Sequence, residues 1–87
     1  MALRILVVDD HDISRRVVRA MVRTRPKWSI CGEAEDGATG VQKFETLKPD
    51  VVVLDLSLPD ITGIEAAQLM SSADPTVPRN PVHGIGN

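Results

Sequence analysis

Three runs of the sequence carry strand patterns, and two of them are apolar almost throughout. Leu3 to Val8 is interrupted only by Arg4, and Val51 to Leu56 begins with four apolar residues before Asp55. Continuous runs of this kind are typical of strands buried on both faces, as in parallel sheets. Trp28 to Ala34 alternates instead, which predicts a half-buried strand at a sheet edge. The residues expected to share one side of that strand are Trp28, Ile30, Gly32 and Ala34.

The segment after the first run predicts an amphipathic helix. Asp12 is a suitable N-cap, and the helical pattern ends near Thr24-Arg25-Pro26 because proline interrupts helices. The apolar stripe consists of Ile13, Val17 and Met21, with Val18 and Ala20 beside it. The other face carries Arg15, Arg16, Arg19 and Arg23. We interpret these arginines as the solvated face of the helix.

Two further helices are predicted later in the chain. One follows Asp36-Gly37 and is stopped by Lys48-Pro49. Its apolar positions are Ala38, Val41, Phe44 and Leu47. The other follows a loop from Ser57 to Gly63 and is opened by Thr62 and Glu65, which fit a capping box. We expect this last helix to end near Met70 or Ser71.

Strand and helix patterns alternate in the order βαβαβα, with short connections. This order predicts an α/β fold in which right-handed crossovers place helices on the faces of a parallel sheet. The apolar period is lost after residue 73, and prolines and glycines recur through residues 74–87. We therefore expect one domain over residues 1–73 and an irregular Pro/Gly-rich tail over residues 74–87.

The composition of the 87-residue chain narrows the classes of function. A net charge of −2 and two aromatic residues, Trp28 and Phe44, argue against nucleic-acid binding. No apolar run is long enough to cross a bilayer, and the first residues lack the pattern of a signal peptide. The single cysteine, Cys31, excludes an intrachain disulfide and fits a reducing compartment. We expect a cytoplasmic protein with neither a membrane nor a nucleic-acid partner.

Carboxylates stand at the ends of two predicted strands. Asp9 and Asp10 follow the first strand, and Asp55 stands at the end of the third. If these strands are neighbours, their ends lie about 5 Å apart, and three crowded carboxylates need a cation among them. Mg²⁺ prefers oxygen ligands of this kind, and an aspartate beside it can form an aspartyl-phosphate. The alternatives are that Asp9 and Asp10 cap a helix and that Asp55 is a turn residue.

Three segments together resemble the receiver domain of bacterial two-component response regulators, with the closest likeness to receivers that precede a helix-turn-helix domain. They are LRILVVDDHD, EAEDG and KPDVVVLDLSLPDITG. The resemblance extends from Met1 to about Pro78. It implies a partial flavodoxin-like (receiver) fold with three parallel strands in the order 2-1-3 and three helices. It also implies that the chain accepts a phosphoryl group from a phosphohistidine on a sensor histidine kinase or phosphotransfer protein.

The resemblance assigns roles to individual residues. It implies that Asp55 is the phospho-acceptor and also binds Mg²⁺. Asp10 would bind Mg²⁺ directly, Asp9 through water, and Ser57 through its backbone carbonyl. The family chemistry uses no base at the position of His11, which we interpret as a loop residue. A docking role for the first helix against a kinase is a further implication, set against the solvated-face interpretation of its arginines.

The sequence also departs from the family pattern. A complete receiver has five strands and five helices, whereas this sequence matches the first three strand–helix units. The switch Ser/Thr and the phosphate-pairing Lys of the family have no counterpart, so we expect a truncated receiver with impaired phosphotransfer. The edge of the strand Val51 to Leu56 would then lie open, and part of the Ile13, Val17 and Met21 stripe would lose the helix that covers it in the family fold. We expect the chain to self-associate through the strand edge or by exchange of elements, or else to fold poorly alone.

Two alternative functions remain at this stage. The first is a phosphorylation-dead receiver fragment that acts only as a protein-interaction module. The second is a phosphatase of the haloacid-dehalogenase type, which requires a second Asp two residues after the nucleophile, where this sequence has Ser57. A conventional enzyme is not expected, and self-phosphorylation on Asp55 with Mg²⁺ is the most that the residues support.

Overall fold

The structure is a computed structural model that describes residues 2–73, and these residues form three strands and three helices. The strands are β1 (Leu3–Val8), β2 (Trp28–Ala34) and β3 (Val51–Leu54), and the helices are α1 (Asp12–Arg23), α2 (Gly37–Leu47) and α3 (Gly63–Ala73). All pairings are parallel, in the order β2-β1-β3. The predicted fold class and strand order are confirmed. The predicted tail, residues 74–87, lies outside the described residues.

β1 is the centre of the sheet, and its register aligns the strand ends. Val8 pairs with Ala34 of β2 and with Leu54 of β3. Asp9 directly follows Val8, and Asp55 directly follows Leu54. Since Val8 and Leu54 are paired, the two aspartates are neighbours at the carboxyl ends of the strands. Two backbone hydrogen bonds continue past the strands, from the Asp9 N–H to the Ala34 carbonyl (3.0 Å) and from the Asp55 N–H to the Val8 carbonyl (2.9 Å).

The sheet has a different apolar cluster on each face. On one face, α2 and α3 cover the three strands, and the buried members are Leu6, Val8, Ala34, Phe44, Leu54, Ala66 and Met70. On the other face, α1 contributes Val22 to a smaller cluster with Ile5 and Val7. The face that α2 and α3 cover is called the closed face below, and the face that α1 covers is called the open face.

β2 is an edge strand, as predicted, but its alternation is broken. Ile5 pairs with Ile30, whereas Leu6 pairs with Gly32, so Cys31 is an extra residue at a bulge. Ile30 packs on the open face, and Ala34 packs on the closed face. The prediction that these two residues share one side is wrong, because one additional residue reverses the alternation of side chains beyond it.

β3 is shorter and more exposed than the sequence predicts. It ends at Leu54 instead of Leu56, and Leu56 is exposed. Only Leu54 is buried, and 38% of Val51 is accessible to solvent. Val52 packs against the cluster on one face and Val53 against that on the other, but both are only half-buried, so the prediction of a strand buried on both faces is wrong in degree. Within residues 2–73 the strand pairs with β1 alone, which leaves one edge open.

α1 packs on the sheet with a face that includes Arg15, a residue that the sequence analysis assigned to solvent. The predicted stripe is exposed, by 73% at Ile13, 53% at Val17 and 60% at Met21. Arg15, assigned to the solvated face, is 8% exposed and is buried beside the residues that contact the sheet. The face on the sheet is Arg15, Val18, Arg19 and Val22, spaced at i, i+3, i+4 and i+7. The expected exposure of part of the Ile13, Val17 and Met21 stripe is confirmed, whereas the solvated-face interpretation is wrong for Arg15.

The caps of the helices hold the connections in place. His11 occupies the N-cap position of α1, so the assignment of Asp12 as N-cap is wrong; the Asp12 carboxylate accepts from Arg15 and pairs with Arg16 instead. The capping box of α3 is confirmed, since the Thr62 hydroxyl accepts from the Glu65 N–H and the Glu65 carboxylate from the Thr62 N–H, both at 3.1 Å. α3 continues to Ala73, slightly beyond the predicted end. Among residues 2–73, no helix is both long and apolar enough to span a bilayer.

An acidic cluster as the candidate functional site

Four side chains converge at the edge of the sheet where β1 and β3 end. Asp9, Asp10, His11 and Asp55 each offer one ligand atom, and these atoms all lie within 4.8 Å of one another. The side chains of Asp9 and Asp55 are mostly buried, and those of Asp10 and His11 are more open to solvent. The structure therefore brings together the three carboxylates that the sequence analysis singled out. This set of four side chains is called the acidic cluster below.

His11 takes a larger part in the cluster than a loop residue would. Its Nδ1 lies 3.1 Å from Asp9 Oδ1, 3.0 Å from Asp10 Oδ1 and 3.6 Å from Asp55 Oδ2. The hydrogen bond with Asp9 and the negative charge of Asp10 raise the pKa of His11 above its ordinary value. Its backbone N–H also donates to Asp9 Oδ1, at 2.9 Å. The position directly after a pair of aspartates was the sequence signal for this contact.

The loop after β3 folds back onto Asp55. The Ser57 N–H donates to Asp55 Oδ1 at 3.1 Å, and Ser57 forms an isolated antiparallel bridge with Thr62. Gly63 closes this loop where no side chain fits, because a Cβ atom there would lie 2.3 Å from the Asp55 carbonyl oxygen. The residue type at position 63 therefore fixes how closely the loop approaches the cluster.

Asp60 fastens the same loop to α2. Its carboxylate accepts from the N–H groups of Gly37 (2.8 Å) and Ala38 (2.9 Å), the first residues of that helix. These two backbone hydrogen bonds lower the pKa of Asp60, because they stabilise the charged form. The sequence analysis missed this role. An aspartate in a loop has no local signal for a partner more than twenty residues away.

The donors of the cluster fit a small divalent cation. Within residues 2–73, His11 is the one basic side chain within 4 Å of the carboxylates of Asp9, Asp10 and Asp55. Three carboxylates without a guanidinium or ammonium partner repel one another, and a Mg²⁺ ion relieves this repulsion through the oxygen ligands it prefers. The individual ligand roles of Asp9, Asp10, Asp55 and Ser57 stay predictions.

Comparison with known proteins supplies the family. Residues 5–82 match the family model described as the response regulator receiver domain. A protein-glutamate methylesterase/protein-glutamine glutaminase of Thermotoga maritima is 39% identical over 74 residues, which is 85% of this chain and 22% of that protein. The chain therefore spans about a fifth of the length of this relative.

Solved structures agree with the family model. The response regulator domain of Thermotoga maritima CheB matches with a TM-score of 0.83 and 38% identity, over 87% of this chain and 57% of that one. CheY in a CheX-CheY-BeF3-Mg complex from Borrelia burgdorferi matches with a TM-score of 0.76 and 25% identity, over 85% of this chain and 56% of that one. The matched part of each structure is a little over half of its length. On this evidence of sequence, fold and family model, the chain belongs to the response regulator receiver domain family.

Proposed function

We propose that this receiver domain of a two-component system accepts a phosphoryl group on Asp55, with Mg²⁺ bound in the acidic cluster. The observation that carries the proposal is the convergence of Asp9, Asp10 and Asp55 in a chain of this family. The similar complex from Borrelia burgdorferi was solved with BeF3 and Mg²⁺, which supports this chemistry. The donor that fits is a phosphohistidine on a sensor histidine kinase or a phosphotransfer protein, and we place the chain with them in the cytoplasm.

The proposed chemistry assigns tasks to the three carboxylates of the cluster and to Ser57. A carboxylate oxygen of Asp55 attacks the phosphorus of the donor, and a P–O bond forms as the P–N bond to the donor imidazole breaks. Asp10 and Asp55 would hold Mg²⁺ directly, Asp9 would hold it through water, and the Ser57 carbonyl would complete the protein ligands. The bound ion would neutralise charge on the transferred group.

The shortage of basic side chains near Asp55 within the described residues should limit the rate of its phosphorylation. No lysine or arginine of residues 2–73 lies within 4 Å of the Asp55 carboxylate. The transferred phosphoryl group would be stabilised by backbone groups such as the Ser57 N–H and by the bound ion. Loss of one preorganised donor typically slows such reactions by about 10²–10³. We therefore expect slow phosphorylation of residues 1–87 on their own.

The test is phosphorylation by a small donor. We expect acetyl phosphate with Mg²⁺ to add one phosphoryl group to the chain, detected by intact mass and located at Asp55 by peptide mapping. Asp55→Asn should abolish the modification, and Asp10→Asn should weaken Mg²⁺ binding by at least tenfold in an NMR titration of backbone amides.

The matched control is Asp36→Asn. Asp36 caps α2 by accepting from the Thr39 N–H at 2.7 Å, and asparagine is an equally good cap. This variant removes one negative charge without touching the cluster, so it should be modified at the wild-type rate. Modification of Asp55→Asn, or a titration that Asp10→Asn leaves unchanged, would show that the assignment is wrong.

A second candidate function, favoured by the exposed surfaces, is a protein-interaction module. Ile13, Val17 and Met21 form an exposed apolar stripe on α1, and the outer edge of β3 has no partner strand within residues 2–73. Exposed apolar stripes and open strand edges are both sites of association. We propose that the chain self-associates through these two surfaces, in addition to binding its phosphodonor.

A further inference from the structure

We propose that Arg15 is a positioning residue of the acidic cluster, which holds the peptide between Asp9 and Asp10 in the orientation that metal binding needs. The inference rests on the proposed function of the cluster and adds a residue that was assigned to the solvent from the sequence. Arg15 does not contact the metal site itself, and it acts through the backbone of Asp9.

The contact that carries the inference is a hydrogen bond to the backbone. Arg15 Nη1 donates to the Asp9 carbonyl oxygen at 2.7 Å. The Asp9 N–H is held by the Ala34 carbonyl at 3.0 Å, so both peptide groups of Asp9 have fixed partners. Rotation of the peptide after Asp9 would turn the carbonyl away from Arg15 and move the Asp10 side chain with it. Arg15 therefore restricts rotation of the peptide group that links Asp9 to Asp10.

The guanidinium is held in place by acidic side chains of β2, of α1 and of the loop that follows β2. Arg15 Nε lies 3.3 Å from Glu33 Oε1, and Arg15 Nη2 lies 3.4 Å from Asp12 Oδ1 and 3.7 Å from Glu35 Oε1. A buried charge needs such partners to offset its desolvation. These contacts join the end of β2 and the start of α1 to the turn after β1. The buried guanidinium of Arg15 therefore supports the backbone of the cluster, while its charge is paired with carboxylates outside the cluster.

Arginine suits this position better than lysine. Its planar group has donors that point in several fixed directions, and Arg15 uses three nitrogen atoms for different partners. A lysine ammonium is a single point on a flexible stem. It could keep the charge near Glu33 but not hold the Asp9 carbonyl at the same time. Groups that orient metal ligands typically change metal affinity by about 10- to 100-fold when they are removed.

The experiment compares Arg15→Lys with Arg19→Lys in the full chain of residues 1–87. Arg19 lies on the same helix and binds the same acidic residue, with both of its hydrogen bonds to Glu33 at 2.7 Å. Within the described residues it donates to no group of Asp9 or Asp10. It is therefore a control for loss of the α1–β2 ion pair without loss of the contact to the turn.

Three quantities are measured: the dissociation constant of Mg²⁺ from an NMR titration, the ¹³C shift of the Asp9 carbonyl, and the urea midpoint. We expect Arg15→Lys to weaken Mg²⁺ binding by about tenfold or more and to shift the Asp9 carbonyl signal. Arg19→Lys should lower the urea midpoint but leave the other two quantities unchanged. If Arg15→Lys is partly unfolded, the separate signals of its folded fraction still report both quantities.

Three outcomes would count against the proposals, and they differ. Wild-type affinity in folded Arg15→Lys overturns the positioning role and leaves the proposed function intact. Equal weakening in Arg15→Lys and Arg19→Lys overturns it as well, because the effect is then one of general stability. Absence of Mg²⁺ binding by the wild-type chain overturns the proposed function, and the role of Arg15 falls with it.

Discussion

The two faces of the sheet are built in different ways, although β1 supplies apolar residues to both. On the closed face, Leu6 and Val8 are fully buried against apolar residues of α2 and α3. On the open face, α1 contributes the buried Val22 and the half-buried Val18, and it also meets β2 through ion pairs of Arg15 and Arg19 with Glu33. The comparison teaches that a helix can be positioned by charge where its apolar residues face outwards.

The difference has a functional side. The ion pairs of the open face lie next to the turn that carries Asp9, and Arg15 belongs to both. Hydrogen-bonded ion pairs constrain the orientation of the groups they join, whereas apolar packing, as on the closed face, is non-directional. We infer that the closed face supplies most of the stability and that the open face supplies orientation at the acidic cluster. The following predictions separate the two contributions.

The largest effect is expected for truncation of β1 side chains on the two faces. Leu6 and Ile5 are adjacent, nearly equal in volume and both buried, but Leu6 faces the closed side and Ile5 the open side. We expect Leu6→Ala to cost about 3–5 kcal/mol of unfolding free energy and Ile5→Ala about 2–3 kcal/mol, because a cavity on the open face relaxes more easily. Urea denaturation of both variants measures this difference. Equal costs would show that the two faces are packed alike.

A smaller effect is expected from the charge of Glu33. Its hydrogen bonds with Arg19, and then the charges of Arg19 and Arg15, lower the pKa of Glu33 below its ordinary value of 4.5. The stabilisation from this carboxylate is therefore present above pH 4.5 and is lost as the pH falls through the lowered pKa of the folded state. Glu33 and Arg19 are partly exposed, so we expect Glu33→Gln to cost about 1 kcal/mol or less at pH 7.

The measurement is the urea midpoint of Glu33→Gln and wild type between neutral and acid pH. The two midpoints should converge at the acid end, since the carboxyl group of the wild type is then neutral as well. A difference that persists after protonation would show that Glu33 acts through packing instead of charge.

The smallest effect on stability is expected at the exposed stripe of α1. Met21→Lys should change the free energy of unfolding by no more than about 0.5 kcal/mol, because the side chain is already exposed. It should nevertheless weaken self-association, which sedimentation velocity would detect over a range of concentrations. Leu69→Lys on α3 is the matched control, since Leu69 is similarly exposed on the other side of the sheet. Loss of association in both variants, or in neither, would contradict a role for the stripe.

Much of the fold could be predicted because its signals are local. The apolar runs that became β1 and β3 and the capping box of Thr62 and Glu65 are each encoded within a few residues. The convergence of Asp9 and Asp55 followed from the positions of two strand ends. The positions of these strand ends depend on the extent of the strands, which the sequence predicted, and on the strand order, which the family resemblance implied.

The errors lie where tertiary contacts decide. α1 carries two stripes with helical spacing, and the one on the sheet is selected by contacts that form in the fold, namely the ion pairs of Arg15 and Arg19 with Glu33 and the packing of Val22. The bulge at Cys31 left no mark in the alternating pattern of β2. His11 was next to the aspartates in sequence, but its contact with Asp55, more than forty residues away, exists only in the folded chain.

The hydrogen bonds of Asp60 have a consequence for motion. The loop that leaves Asp55 is attached at one end to the sheet, through the Asp55 N–H, and near its other end to the first N–H groups of α2. Those N–H groups have no acceptor within their own helix, so a loop that detached would leave them without this partner. We infer that an adjustment of the chain around a group bound at Asp55 would be taken up between these two attachments. A displacement that reaches Asp60 would be transmitted to α2, which makes this short loop the mechanical link between the acidic cluster and the closed face.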